Sequence, residues 1–117
     1  FLGDAPSLER WLAALPAPKP LRSRDEEGVR TGRALFEAKG CATCHAGSAL
    51  TDNENHGGLQ TPSLVGAWAR APYFHSGSAR DLRATFTQVG VSDDVHPAFS
   101  GFTKEEADAL TRYLESL

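Results

Sequence analysis

The stretch "CATCHAG", residues 41–47, contains both cysteines of this 117-residue chain, with a histidine directly after the second cysteine. Closely spaced cysteines serve three kinds of site: zinc centres, redox-active dithiols and covalent haem. A zinc site takes about four ligands, usually cysteines and histidines, and no second cysteine pair completes such a set. A thioredoxin-like dithiol normally lies in a βαβ pattern, which this sequence lacks. Both interpretations are therefore disfavoured.

The spacing C-x-x-C-H is typical of c-type haem attachment. We expect the thiols of Cys41 and Cys44 to add to two vinyl groups at one edge of a porphyrin, and His45 to bind the iron. A haem also fits the composition, because 40% hydrophobic residues are few for the core of so short a chain. A flat apolar cofactor would enlarge that core. The motif thus predicts one covalent haem c with its iron.

The charge and hydropathy of the chain argue against two other classes of protein. The formal net charge of −3, without a basic stripe, is not that of a nucleic-acid-binding domain. No apolar run approaches the ~18 residues that a membrane-spanning helix needs, so no membrane span is predicted. There is no signal-peptide pattern either. Because the chain begins at Phe1, we interpret it as a processed or excised piece, cut from a longer protein.

Residues 1–24 are predicted to form an N-terminal helix followed by a proline-rich arm or linker. Ser7 is placed to cap the helix, and Trp11 is expected to dock the segment on the main domain. The apolar face of this helix consists of Leu8, Trp11, Leu12 and Leu15. The prolines that follow in "LPAPKP" favour an extended, semi-rigid strip. The alternative is a remnant of a neighbouring domain.

Residues 25–117 are predicted to form a monohaem domain that is all helical. The segment "DEEGVRTGRALFEAKG", residues 25–40, has acids at its start and ends in glycine, as a helix does. Further helices are expected after Ser63, over residues 79–90, and from a capping box of Thr103 and Glu106 onward. No strand pattern is visible. The expected core and haem lining are Phe36, Leu64, Trp68, Phe74, Leu82, Phe86, Phe99, Leu110 and Tyr113.

Three segments carry a resemblance to a known family. "GRALFEAKGCATCH" resembles the start of a class I cytochrome c, "TPSLVGAWAR" resembles that family's Gly-Pro-x-Leu-x-Gly-x-x-x-Arg stretch, and "FTKEEADALTRYLESL" is similar to its terminal helix. The resemblance implies a small cytochrome c-like fold wrapped around one covalent haem. It also implies that the Pro62 carbonyl accepts a hydrogen bond from the far nitrogen of His45, which orients the imidazole. Arg70 would face a haem propionate.

A narrower resemblance joins "LTDNENHGG" to "QTPSLVGAWARAPYFHSGSARDL". These segments are similar to the C-terminal haem domain of the bacterial dihaem cytochrome c peroxidases and the related MauG proteins, from about Gly32 to the end of the chain. Two features depart from that family. The chain has a single haem motif, and it has "TQVGVS" where those proteins offer Met or Tyr to the iron.

The second axial ligand has to be something other than methionine, which the chain lacks. His96 is favoured, because His96-Pro97 falls where class I cytochromes place Met-Pro, and proline fixes the local backbone. His75 and His56 remain alternatives, as does an iron with no second protein ligand. Imidazole donates more strongly to ferric iron than a thioether does, so ligation by two histidines predicts a low reduction potential.

These features favour an electron-transfer protein over an enzyme. The alternatives are a haem domain of a peroxidase or MauG-like enzyme that needs a second haem, and a gas or redox sensor with a labile or absent sixth ligand. The expected partner is a redox protein or a neighbouring domain of a longer chain. Haem attachment of this type takes place outside the cytoplasm, which predicts a periplasmic or otherwise extracytoplasmic location in a bacterium.

Overall fold

The computed structural model describes residues 5–87, 96 and 101–117. The helices in these ranges are α1 (Ala5–Ala14), α2 (Glu27–Ala38), α3 (Ala84–Thr87) and α4 (Lys104–Leu114). Single 3₁₀ turns occupy Cys41–Thr43 and Ala67–Ala69. The predicted all-α class is confirmed. In place of the expected helix after Ser63, the structure has the 3₁₀ turn at Ala67–Ala69. Of the expected helix over residues 79–90, the described residues contain the four-residue helix α3.

One short pair of strands differs from the expectation that the chain has no strand. Strands β1 (Asn55–His56) and β2 (Leu59–Gln60) pair antiparallel, with Asn55 opposite Gln60 and His56 opposite Leu59. Two residues per strand are too few to show an alternating pattern in the sequence. The two glycines between them have positive φ angles of 61° and 95°, and such a pair is the usual connection of a tight hairpin.

Helices α2 and α4 pack directly on each other. The buried residues of α2 are Val29, Gly32 and Phe36, which recur at helical spacing on one face. The rings of Phe36 and Tyr113 meet edge-on, with their centroids 5.2 Å apart. These contacts form one wall of the core, whose buried members are Phe36, Ala67, Leu82, Phe86, Ala107, Leu110, Leu114 and Leu117.

The start of α4 confirms the predicted capping box. The Thr103 hydroxyl accepts a hydrogen bond from the Glu106 N–H at 3.1 Å, and the Glu106 carboxylate accepts one from the Thr103 N–H at 2.9 Å. Two otherwise unpaired amides at the helix start are thereby satisfied. The Asp81 carboxylate accepts from the Ala84 N–H at 2.8 Å at the start of α3, and an ion pair joins Arg83 to Asp108 of α4.

The N-terminal segment departs from two predictions. Ser7 lies inside α1 rather than at its cap. Trp11 is 60% exposed, and α1 has no buried residue, so Trp11 does not dock the segment. Contact with the rest of the protein is made further along, where the Leu21 N–H donates to the Glu115 carbonyl at 2.9 Å and Arg22 forms an ion pair with the Glu115 carboxylate at 2.8 Å. Among the described helices, none is long and apolar enough to cross a bilayer.

Candidate functional site

The two cysteines and the first histidine lie on one tight turn directly after α2. Gly40, at φ 79°, ends the helix in the left-handed conformation that glycine adopts without a steric penalty. The chain then forms the 3₁₀ turn Cys41–Thr43, and the His45 N–H donates to the Cys41 carbonyl at 3.0 Å. Because this hydrogen bond closes the turn, Cys41, Cys44 and His45 lie together. All three line the same cavity.

That cavity has a volume of about 600 Å³, within the range of sites that enclose a small molecule or cofactor. Its apolar wall includes six side chains of the predicted lining: Phe36, Leu64, Phe74, Leu82, Phe86 and Leu110. Trp68 and Tyr113 instead pack against the core from outside this cavity. Phe99 lies outside the described residues.

The thiols of Cys41 and Cys44 are both unpaired and only partly buried. Burial raises the pKa of the Cys41 thiol, which therefore stays protonated at neutral pH. Donor atoms of Cys44, Asp52 and His56 also lie within 4.8 Å of one another. Three donors are fewer than the four protein ligands of a structural zinc site. Neither cysteine is paired in a disulfide, and both line the cavity, so both thiols are placed to bond to a cofactor there.

The hydrogen bonds of His45 fix which ring nitrogen is free. Its Nδ1 lies 3.1 Å from the Leu50 carbonyl oxygen. Burial lowers the pKa of His45, and hydrogen bonding to the carbonyls of Leu50 and Pro62 opposes that shift. Because a carbonyl oxygen only accepts, Nδ1 carries the proton and Nε2 keeps its lone pair. A neutral imidazole oriented in this way is suited to bind a metal ion.

The predicted residues Pro62 and Arg70 also line the cavity. The Arg70 Nη2 group donates to the Ser63 carbonyl and, at 3.4 Å, to the Val65 carbonyl. These bonds hold the guanidinium at the cavity wall. Both of them use Nη2, whereas a guanidinium has five N–H donors in all. A carboxylate at this wall would accept a charge-assisted hydrogen bond from the Arg70 guanidinium.

All four histidines of the chain line this one cavity: His45, His56, His75 and His96. The His56 Nε2 is bonded to the Asp52 carboxylate at 2.9 Å. Hydrogen bonds from the Glu54 N–H, His56 and Thr61 lower the pKa of Asp52 to about 2. The His96 ring lies against Phe74, with centroids 5.2 Å apart and planes inclined at 50°. Pro97 lies outside the described residues.

Sequence reasoning missed two contacts of the site. The first is the Leu50 carbonyl on His45, which no side-chain pattern could signal because the acceptor belongs to the backbone. The second is the contact between Phe74 and His96: Phe74 was expected in the lining, but its proximity to a residue so distant in sequence was not predicted. The hairpin that brings His56 and Leu59 to the cavity was also missed, although "HGGL" carries the signal for it.

Taken as a whole, the donor set fits a haem c. Two thiols and an oriented neutral imidazole lie on one turn, an apolar cavity adjoins them, and a guanidinium at its wall suits a propionate.

Comparisons with known proteins show which family the chain belongs to. The family model described as cytochrome c matches residues 29–117. Photosystem II extrinsic protein V of Synechococcus sp. (strain CC9311) is 26% identical over 98 residues, which cover 76% of this chain and 57% of that protein. In a solved structure of Kuenenia stuttgartiensis hydrazine synthase pressurised with 20 bar xenon, one chain is similar with a TM-score of 0.74 and 22% identity.

That structural match covers 92% of this chain and 52% of the other. At such low identity it shows a shared fold and no more. The chain thus spans just over half the length of the photosystem II protein and of the matched hydrazine synthase chain. Since the family model covers most of the sequence and includes the C-x-x-C-H turn, the chain belongs to the cytochrome c family, which implies a covalently bound haem c and haem-based electron transfer.

Proposed function

We propose that this chain is an electron-transfer domain with a single haem c, attached through Cys41 and Cys44 and ligated by His45 and His96. The observation that carries the proposal is the shared cavity: both thiols and both imidazoles line it. In the same proposal, residues 1–24 are an appended helix and arm and residues 25–117 are the haem domain.

When bound, the haem supplies an iron that alternates between the ferric and ferrous states. The Leu50 carbonyl, by accepting the Nδ1 proton of His45 at 3.1 Å, holds the imidazole in one orientation and strengthens it as a ligand. The apolar side chains of the cavity would surround the haem, and an apolar surrounding is one of the factors that set the potential of a haem. The His96 imidazole would hold the iron as a second ligand and would leave no position open to oxygen or peroxide.

Ligation by two imidazoles favours a low reduction potential, because imidazole stabilises ferric iron more than a thioether does. His56 is less suited to the same role, since its Nε2 is already bonded to Asp52. His75 lines the cavity as well, and it stands in the "APYFH" string that resembles the peroxidase and MauG-like proteins. His75 is therefore the comparison residue for any test of His96.

The location and partner follow from the proposed chemistry. Haem attachment of this kind takes place outside the cytoplasm, and the photosystem II relative is described as an extrinsic protein. We place this domain in an extracytoplasmic compartment, the periplasm of a bacterium. Its electron partner is a second redox protein or a neighbouring domain, in keeping with matches that cover 57% of the photosystem II relative and 52% of the hydrazine synthase chain.

Spectroscopy of the haem-loaded protein tests the ligand set. The ferric and ferrous wild type should be low spin and unaffected by carbon monoxide. His96→Ala should lose the low-spin signature and bind carbon monoxide, and His96→Met should stay low spin at a raised potential. His75→Ala and His56→Ala should match the wild type. A wild type that binds carbon monoxide would favour the peroxidase or MauG-like alternative or a sensor, and an unchanged His96→Ala would remove His96 from the iron.

A further inference from the structure

Phe74 has a backbone conformation that its side chain does not favour. Its φ angle is 67°, in the left-handed region where a bulky residue is a genuine outlier. Glycine adopts this region without a steric penalty. Residues held in such conformations persist only where the surrounding structure imposes them, and they concentrate at functional sites. A phenylalanine at a backbone position that favours glycine therefore points to a role for its side chain.

The surrounding loop fixes this conformation from both sides. Tyr73 and Ala79 exchange backbone hydrogen bonds, at 2.7 Å from the Tyr73 N–H and 3.3 Å from the Ala79 N–H. The Gly77 N–H donates to the Phe74 carbonyl at 3.1 Å, which closes the turn within that bridge. The Tyr73 hydroxyl donates to the Ala67 carbonyl at 2.8 Å and ties the loop to the core. Phe74 thus projects from a rigid base.

The ring of Phe74 is directed at the proposed second ligand. Its centroid lies 5.2 Å from that of the His96 imidazole, with the planes inclined at 50°, and this separation is within the range of stabilising aromatic pairs. Both side chains line the cavity that also holds His45. Leu64 and Leu110 continue the apolar wall.

We propose that Phe74 is a positioning residue for His96: its ring sets the plane of the His96 imidazole and slows the displacement of that imidazole from the iron. This inference rests on the proposed function, in which His96 is the second ligand. An imidazole bound through one nitrogen keeps one rotation, about the bond to the metal. A rigidly held ring in contact with the imidazole restricts that rotation and shields the imidazole from solvent.

The backbone strain makes a clean test possible. Phe74→Gly removes the ring and installs the residue that the φ angle favours, so the loop is expected to keep its conformation. Phe74→Tyr keeps the ring and serves as the conservative variant. Tyr113→Leu is the matched control, because Tyr113 is an aromatic residue that pairs with Phe36 but does not itself line the cavity.

Three measurements on the ferric haem-loaded protein separate the possibilities. Near-infrared magnetic circular dichroism reports which groups ligate the iron, low-temperature electron paramagnetic resonance reports the imidazole planes, and stopped-flow mixing gives the rate at which cyanide displaces the second ligand. Phe74→Gly should keep the two-imidazole signature and shift the paramagnetic resonance. It should also raise the rate of displacement by cyanide roughly two- to tenfold, because the free energy of one aromatic pair corresponds to a factor in that range. Phe74→Tyr and Tyr113→Leu should match the wild type.

The outcomes distinguish this inference from the proposed function. If His96→Ala loses the two-imidazole signature while Phe74→Gly leaves both the resonance and the displacement rate unchanged, His96 is the ligand and the role of Phe74 is refuted. That role is refuted equally if Tyr113→Leu changes the resonance as much as Phe74→Gly does. If His96→Ala keeps the wild-type signature, the ligand assignment and this inference are both wrong.

Discussion

Gly32 of α2 lies against the backbone of Ala109 in α4 with no room for a side chain. A Cβ atom at Gly32 would be 2.0 Å from the Ala109 carbonyl oxygen and 2.7 Å from the Tyr113 Cβ. Neither atom belongs to the flexible end of a side chain, so neither can move aside without shifting α4. This close approach brings Phe36 of α2 into contact with Tyr113, and Phe36 in turn lines the cavity.

Gly32→Ala should therefore destabilise the protein strongly. Overpacking of a core usually costs about 1–3 kcal/mol, and we expect the upper end of that range or more because the clash is with backbone. The free energy of unfolding of the haem-loaded protein, measured with guanidinium and followed by circular dichroism, checks this expectation.

Gly28→Ala is the matched control in the same helix. A Cβ at Gly28 would meet the Arg112 side chain, with Cδ at 2.9 Å, and that flexible chain can turn away. Alanine is favoured over glycine inside a helix by roughly 0.5–1 kcal/mol, so Gly28→Ala should be neutral or slightly stabilising. Equal losses in both variants would contradict the close contact at Gly32.

Asp52 should make the stability of the protein depend on acid pH. Hydrogen bonds from the Glu54 N–H, the His56 side chain and Thr61 lower its pKa to about 2, whereas an unfolded chain gives a value near 3.9. A carboxyl group whose pKa is lowered by folding contributes its full stabilisation at pH values above its pKa in the unfolded chain. This contribution is lost as the pH falls through its pKa in the folded protein. The stability difference between wild type and Asp52→Asn should therefore shrink between about pH 5 and pH 2.

Urea unfolding across this range measures that difference. Glu54→Gln is the control, since it removes a carboxylate two residues away but keeps the backbone N–H that donates to Asp52 at 3.0 Å. Its pH dependence should follow that of the wild type. A difference between wild type and Asp52→Asn that stays constant with pH would show that these hydrogen bonds do not favour the charged carboxylate.

The parts of the fold that the sequence predicted are those specified by local chemistry. Thr103 and Glu106 satisfy each other's backbone amides within four residues, so their pattern needs no tertiary information. The C-x-x-C-H motif is equally local, because one turn brings Cys41, Cys44 and His45 together. Family membership followed from such motifs.

The predictions from sequence failed where contacts between distant parts of the chain determine the structure. The pattern at the N-terminus predicted an apolar helix face correctly, but not that Trp11 would remain 60% exposed. An amphipathic pattern signals a face that can be buried and does not say what buries it. One partner of the His45 imidazole, the Leu50 carbonyl, was missed in the same way, because a loop with φ 51° at Leu50 brings that carbonyl to the ring.

Thr103→Ala should weaken α4 by removing one half of the capping box. The loss of an N-cap hydroxyl typically costs about 1 kcal/mol. Thr111→Ala is the matched control within the same helix, because its hydroxyl bonds to the Ala107 carbonyl one turn back, at 2.8 Å, and caps no helix end. Thermal unfolding should show a clear drop for Thr103→Ala and a smaller change for Thr111→Ala. The reverse order would mean that the capping box does not stabilise the helix start.

Arg70→Gln should lower the reduction potential. The carbonyls of Ser63 and Val65 hold the guanidinium at the cavity wall, and a fixed positive charge near the haem favours the ferrous state, which has one positive charge fewer. With partial solvent screening the loss is about 1 kcal/mol, or roughly 40 mV for a one-electron couple. Arg80→Gln is the control, because Arg80 is 85% exposed and paired with Asp81. Potentiometric titration should show a shift for Arg70→Gln and none for Arg80→Gln, and equal shifts would place Arg70 away from the haem.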